Sequence, residues 1–233
     1  MDLIKIKLID YDDLNYAFYG LRVCTDTLNR INPENYEKNI NLLKHALDDE
    51  VPHLSILKHI NYKFLIQGVP RSFLQEYTRH TVGNYINVLS TRWALHKVFK
   101  NEELNPNKKE EIVKKCYCFC GGIEDLSRDD EIYQQWINDR FRELVTMKKL
   151  KGRGIGNDKL KFLVHENLRT TIFSTISALA MRNLLNQRLY KDAWYVFRYV
   201  AELMYKQIPE DHKLLFRDIV SVRLGDNNVK KNI

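Results

Sequence analysis

The chain has 233 residues, 44% hydrophobic and 29% charged, with nine glycines, five prolines and a formal net charge of +7. This is the composition of an ordered protein with enough apolar residues for a sizeable core, read as one domain over 1–233 with disorder confined to the ends, chiefly the tail at about 225–233. No apolar run approaches the ~20 residues that cross a membrane, and Met1-Asp2-Leu3-Ile4-Lys5 lacks a signal-peptide cleavage pattern, so no membrane partner and a cytoplasmic location are expected. The positive charge suits an anionic partner of any size, from a nucleotide phosphate to a nucleic-acid backbone.

Leu3 to Asp10 mixes alternation with β-branched residues and ends in polar residues, which reads as a strand and a turn. Leu14, Ala17, Phe18 and Leu21 then fall on one helix face, and Cys24 is expected in the core. Asn32-Pro33-Glu34 starts a second helix, with Asn32 as cap, running towards His45-Ala46-Leu47. From Ile60 to Gln67 the apolar residues Ile60, Tyr62, Phe64 and Ile66 alternate with polar ones, the clearest strand in the chain, and Gly68-Val69-Pro70 is expected to end it. Phe73, Leu74 and Tyr77 follow at helical spacing and deliver Arg79-His80 to a helix C-terminus.

Beyond residue 105 helices dominate. One leads into Cys116, Cys118 and Cys120, read as buried structural thiols because no fourth ligand or C-x-x-C loop stands nearby for a metal. Another spans about Glu131 to Lys148, and a short one follows Gly156-Asn157-Asp158. The run from Thr170 to Glu202 is read as helical, with Ile172, Ile176, Leu179, Ala180, Met181, Leu184 and Leu185 forming a broad apolar surface. Together the patterns give an α+β fold with more helix than strand.

The stretch Arg79-His80-Thr81-Val82-Gly83-Asn84-Tyr85-Ile86-Asn87-Val88-Leu89-Ser90-Thr91-Arg92-Trp93 concentrates guanidinium, imidazole, hydroxyl and amide groups around a glycine. An arginine fork matches phosphate oxygens or a pyrimidine edge, and hydroxyls and backbone N–H groups complete an anion cradle. The bland alternative, surface ion pairs and a satisfied helix-end histidine, stands beside it on composition alone. Tyr85, Trp93 and Trp194, aromatics among basic residues, are read as core ahead of base-stacking platforms.

This stretch resembles the signature of the flavin-dependent thymidylate synthases: Arg-His-Arg, seven or eight residues, then Ser-x-Arg-Tyr. Pro52-His53-Leu54-Ser55-Ile56-Leu57-Lys58-His59, the strand Phe64-Leu65-Ile66-Gln67-Gly68-Val69-Pro70-Arg71, Gly154 to Lys161, and Ala180 to Arg188 are similar to further family segments, in the same order. The resemblance implies a thymidylate synthase-complementing-protein-like fold of mixed helices packed on a small antiparallel sheet. It assigns FAD contacts to His53, Ser55, Arg79, His80, Thr81 and Asn183, and nucleotide contacts to Glu76, Ser90, Arg92, Lys161 and Arg188. Arg188 would also polarise the pyrimidine and so act catalytically, without a protein nucleophile.

The implied reaction is reductive methylation of dUMP to dTMP with methylenetetrahydrofolate and NADPH as co-substrates, in a homotetramer whose sites are shared between subunits. A small nucleotide is favoured over nucleic acid as partner. Departures from the family pattern concentrate at Thr81, which lacks the third cation, at Val88, Trp93, Leu179 and Asp192, and at Glu76, where an acceptor-only carboxylate replaces an amide. They leave open the same flavin and folate chemistry on another pyrimidine nucleotide, by methylation or hydroxymethylation, or a non-catalytic nucleotide- or nucleic-acid-binding relative.

Overall fold

Alternating β-branched and charged residues form β1 (Lys5–Tyr11) in the computed structural model, which describes residues 4–101 and 104–225. Leu3, where the sequence starts this strand, and the tail from residue 226 lie outside the described residues. Helix α1 (Asn15–Cys24) opens with the Asn15 N–H donating to the Asp13 carboxylate at 2.7 Å, and it buries the expected face of Leu14, Ala17, Phe18 and Leu21. Cys24 is exposed and not in the core: it is the last residue of α1, and the chain turns away through Asp26 at φ 50° before another turn covers it. Asn32 caps a 3-10 turn over Pro33–Asn35, its side chain accepting from the Asn35 N–H, and α2 (Tyr36–Asp48) continues from it.

Strand β2 (Asn61–Pro70) buries Tyr62, Phe64 and Ile66 as the alternation predicts. It runs through Gly68-Val69-Pro70, where an end is expected, because Gly68 takes φ 78°, open to a glycine, without breaking the strand. Then come α3 (Arg71–Tyr77), β3 (Asn84–Val88), α4 (Thr91–Asn101), α5 (Lys109–Cys116), α6 (Glu131–Gly152) and α7 (Asn157–Leu160). Asp130 caps α6, its carboxylate accepting from the Ile132 N–H at 2.8 Å. Cys116, Cys118 and Cys120 are buried, as read.

The helical reading fails from Thr170 onwards: residues Arg169–Ser177 form β4, and helix begins only at α8 (Ala178–Arg188). Ile172 and Ile176 are four apart, a spacing that fits a strand and a helix alike. Thr170, Ile172, Ser174 and Ile176 are all buried, the period of two that a run rich in threonine and isoleucine favours. The last helices among the described residues are α9 (Tyr195–Lys206) and α10 (Arg217–Gly225).

The strands order β1-β2-β4-β3 in one small antiparallel sheet, so the α+β class expected from the sequence is the one observed. The described residues fall into two compact units. The first draws on the described residues within 4–5, 66–78 and 87–172, with a core that joins Leu95, Val113, Tyr117, Ile137, Leu144 and Met147. The second draws on the described residues within 6–65, 79–86 and 173–225. There Phe18, Leu57, Tyr62, Phe64, Leu184, Phe197 and Phe216 are fully enclosed.

Candidate active site

In the second unit the loop after α3 is held against the start of α8 by a single glycine. Gly83 has φ 71°, and a Cβ there would lie 2.6 Å from Ser177 Oγ and 3.3 Å from the Ala180 Cβ. Only a glycine permits that approach. Its carbonyl accepts from the Ser177 N–H at 2.8 Å, while Ser177 Oγ accepts from the Ala180 N–H at 3.2 Å and caps α8. The close approach therefore ties the Arg79-His80-Thr81 loop to the helix that carries Asn183 and Arg188.

At the other end of α8, Arg188 Nε donates to His80 Nε2 at 3.0 Å. Because Nε2 accepts, the proton of the neutral imidazole sits on Nδ1. The Arg188 guanidinium lies 4.4 Å from the Phe197 ring centroid, and the His80 ring meets Phe197 edge-on at 5.5 Å. Arg188, His80 and Phe197 thus form one rigid set, with the cation at a helix C-terminus where the macrodipole favours it. His53 and Ser55 lie at the exposed start of the 3-10 segment Leu54–His59, which packs against α8, and Asn183 is exposed on α8 itself. Arg79 and Thr81 are also exposed, so the second unit holds His53, Ser55, Arg79, His80, Thr81, Asn183 and Arg188.

The first unit holds Glu76, Ser90, Arg92 and Lys161. Ser90 stands directly before α4, its carbonyl accepting from the N–H groups of Trp93 and Ala94, and Arg92 is exposed in the first turn. Arg71 Nη1 donates to Thr91 Oγ1, fixing the start of α4 from β2's end. Asn157, the first residue of α7, donates from Nδ2 to the Arg92 carbonyl at 3.0 Å, and Lys161 follows at the end of that short helix. A hydroxyl, an arginine and the positive end of a helix dipole at one helix start suit a phosphate, and Lys161 adds a point charge on an element packed against α4. Glu76 is half-buried on α3.

Two core assignments are corrected: Tyr85 and Trp93 are 71% and 63% exposed. Tyr85 sits on the outward side of the short strand β3 and Trp93 in the first turn of α4, neither of which carries a second layer over it in the described residues. Trp194 is half-buried before α9. Phe197 and Asn157 are organising residues that sequence reading missed, since an aromatic in an apolar helix and an asparagine at a helix start look like ordinary core and cap.

The sequence profile of the family described as thymidylate synthase complementing protein matches residues 7–212, through both units. The chain belongs to that family. Among its relatives, the flavin-dependent thymidylate synthase of Wolinella succinogenes is 26% identical over 213 residues, covering 91% of this chain and 97% of the relative. The enzyme of the same name from Campylobacter jejuni RM1221 is 26% identical, with 91% and 96% covered. The crystal structure of thymidylate synthase X from Helicobacter pylori with FAD and dUMP shares the fold at a TM-score of 0.76 and 24% identity, covering 93% of this chain and 99% of that one. The UMP/dUMP methylase PolB from Streptomyces cacaoi, bound with 5-Br dUMP, shares it at a TM-score of 0.64 and 15% identity, with 94% and 95% covered.

Proposed function

We propose that this protein is a flavin-dependent thymidylate synthase that methylates dUMP reductively, with residues 1–233 acting as one functional domain. The observation that carries the reading is the set formed by Arg188 on α8, His80 in the loop after α3 and Phe197 on α9: a guanidinium oriented by an imidazole and an aromatic face, at the position the family uses to bind and polarise the pyrimidine. Its fixed orientation means that little reorganisation is needed when negative charge builds on the ring.

The donors of the second unit fit FAD. An amide at Asn183, a hydroxyl at Ser55, imidazoles at His53 and His80 and the Arg79 guanidinium stand on segments fastened to α8, and they match the mixed donors and acceptors of an isoalloxazine and its diphosphate. The bound flavin supplies the hydride chemistry. The chain's own residues bind, orient and polarise: Ser90, Arg92 and Lys161 take the nucleotide phosphate, and Arg188 withdraws charge from the uracil. NADPH as reductant, methylenetetrahydrofolate as one-carbon donor, a homotetramer with shared sites and a cytoplasmic setting complete the proposal, supported by the family resemblance of the quoted segments.

Purified protein is expected to be yellow, with a flavin absorption band, and dUMP is expected to accelerate oxidation of its reduced flavin in the presence of methylenetetrahydrofolate. A colourless chain that cannot be loaded with FAD overturns the enzyme reading. Glu76 favours a second substrate reading, since a half-buried acceptor-only carboxylate prefers a donor such as a cytosine amino group over a uracil carbonyl. Acceleration by another pyrimidine nucleotide and none by dUMP selects it.

A further inference from the structure

The first unit contains a cleft of about 370 Å³ lined by none of the residues assigned to FAD or dUMP, bounded by α4, the end of α5 and the strand ends around Gly68 and Thr170. Its volume falls within the ~300–1,000 Å³ range of small-molecule sites. Lys97, Lys115 and Arg169 line it, with Leu89, Val98 and Leu168 as apolar wall.

Three features mark it as built to receive something. Arg169 spends Nε on the Lys114 carbonyl at 3.1 Å and Nη1 on the Gly68 carbonyl at 2.8 Å, and has no carboxylate partner among the described residues. A guanidinium has further N–H donors beyond those two, so part of its fork remains unspent. Thr170 is 3% exposed, and its Oγ1 is buried with no hydrogen-bond partner among the described residues. Such a group gives up its water without gaining a hydrogen bond in return, which calls for a ligand or a compensating role. The charges are also unbalanced: Lys115 pairs with Glu111 at 3.1 Å, whereas Lys97 has no ion-pair partner among the described residues.

We propose that this cleft binds a small organic oxyanion, a phosphate or carboxylate carried on an apolar body, at a site separate from the residues assigned to FAD and dUMP. Arg169 and Lys97 would neutralise the oxyanion, Thr170 Oγ1 would donate to it, and Leu89, Val98 and Leu168 would cover the apolar body. The paired carbonyl bonds hold the Arg169 fork in place, so little side-chain entropy is lost on binding. The inference does not rest on the thymidylate synthase reading.

The test uses the full chain carrying Arg92→Ala, so that anions do not register through the start of α4, and follows thermal unfolding against chloride of matched ionic strength. The probes are inorganic phosphate, phenyl phosphate and benzoate. Phenyl phosphate is expected to raise the midpoint dose-dependently and more than inorganic phosphate, because only the former uses the apolar wall. Equal protection by benzoate identifies a carboxylate ligand, and protection by phenyl phosphate alone identifies a phosphate. Adding Thr170→Val keeps the side-chain shape and is expected to hold or raise the midpoint without ligand, while weakening apparent affinity about fivefold. Lys97→Ala, at an exposed position, should weaken it similarly and leave the fold intact. The proposal is overturned if no probe stabilises the chain beyond chloride, or if phenyl phosphate protects undiminished in both variants. Retained flavin loading alongside that result would leave the proposed function standing.

Discussion

Replacing Arg188 with lysine separates charge from geometry at the proposed polarising residue. Lysine keeps the positive charge at the end of α8 but has no Nε to donate to His80, now at 3.0 Å, and no planar face to lie over Phe197, now at 4.4 Å. The stability cost is modest: the lost hydrogen bond and cation–π contact at a half-buried site together come to about 1–3 kcal/mol. The rate cost is larger if the guanidinium acts where charge develops, because losing one oriented donor in such a role costs ~100- to 1,000-fold in kcat. The two effects are therefore distinguishable. Thermal unfolding should shift by several degrees, while single-turnover oxidation of the dUMP-bound reduced flavin in the presence of methylenetetrahydrofolate should slow by two to three orders of magnitude. Full kcat in Arg188→Lys, with the midpoint lowered as expected, would refute the polarising role and reduce Arg188 to a positioning contact for His80.

Gly83→Ala places a methyl group 2.6 Å from Ser177 Oγ at φ 71°, so both the strained backbone and the disturbed cap of α8 oppose it. A loss of about 1–3 kcal/mol is expected in urea unfolding, and an unchanged midpoint would show that the loop does not depend on this approach. Arg92→Gln removes a charge-assisted contact worth about 1.5–3 kcal/mol and should raise the KM for dUMP ~10- to 100-fold with little change in kcat. A KM that does not move removes Arg92 from the phosphate site. Burial pushes His212 below the ordinary imidazole value, with Asp211 and Asp13 opposing, and its Nδ1 lies 3.0 Å from the Tyr62 hydroxyl. The native state holds this ring neutral while the unfolded chain takes up a proton, so stability should fall as pH drops below about 6.5, by at most about 1.4 kcal/mol per pH unit. His212→Gln should flatten that slope, as chemical denaturation across pH 5–7 would show.

The elements legible in advance were those in which one period dominates. β2 alternates cleanly, and the α1 stripe of Leu14, Ala17, Phe18 and Leu21 is buried residue for residue. The β4 segment failed because buried residues four apart satisfy both periods, and the β-branched content of Thr170-Thr171-Ile172 was outweighed by the apolar run that follows. β3 passed unseen for another reason: it is five residues long, its outward residues include Tyr85, and its role depends on pairing with β4, which no local pattern records. Cys24, Tyr85 and Trp93 share one cause. Hydrophobicity predicts burial only where another element arrives to cover the residue, and that is decided by the fold.

The site was legible in a different sense. The residues Arg79, His80, Ser90, Arg92 and Arg188 stand out because their types and spacing follow the family signature, so their identities could be read before their positions. What could not be read is why they stay put. Arg188 is aimed by Phe197, nine residues on and outwardly a core aromatic, and the Arg79-His80 loop is anchored by Gly83, whose necessity appears only as the 2.6 Å approach to Ser177 Oγ. The departure at Thr81 becomes intelligible in the same terms. Thr81 is exposed at the loop tip, two residues before that anchor, so losing a cation there leaves the Gly83 approach and the Arg188–His80 bond in place. If Thr81 faces the flavin as proposed, the altered family signature changes a ligand contact more than the scaffold that presents it, and FAD affinity rather than fold stability is where Thr81→Arg should register.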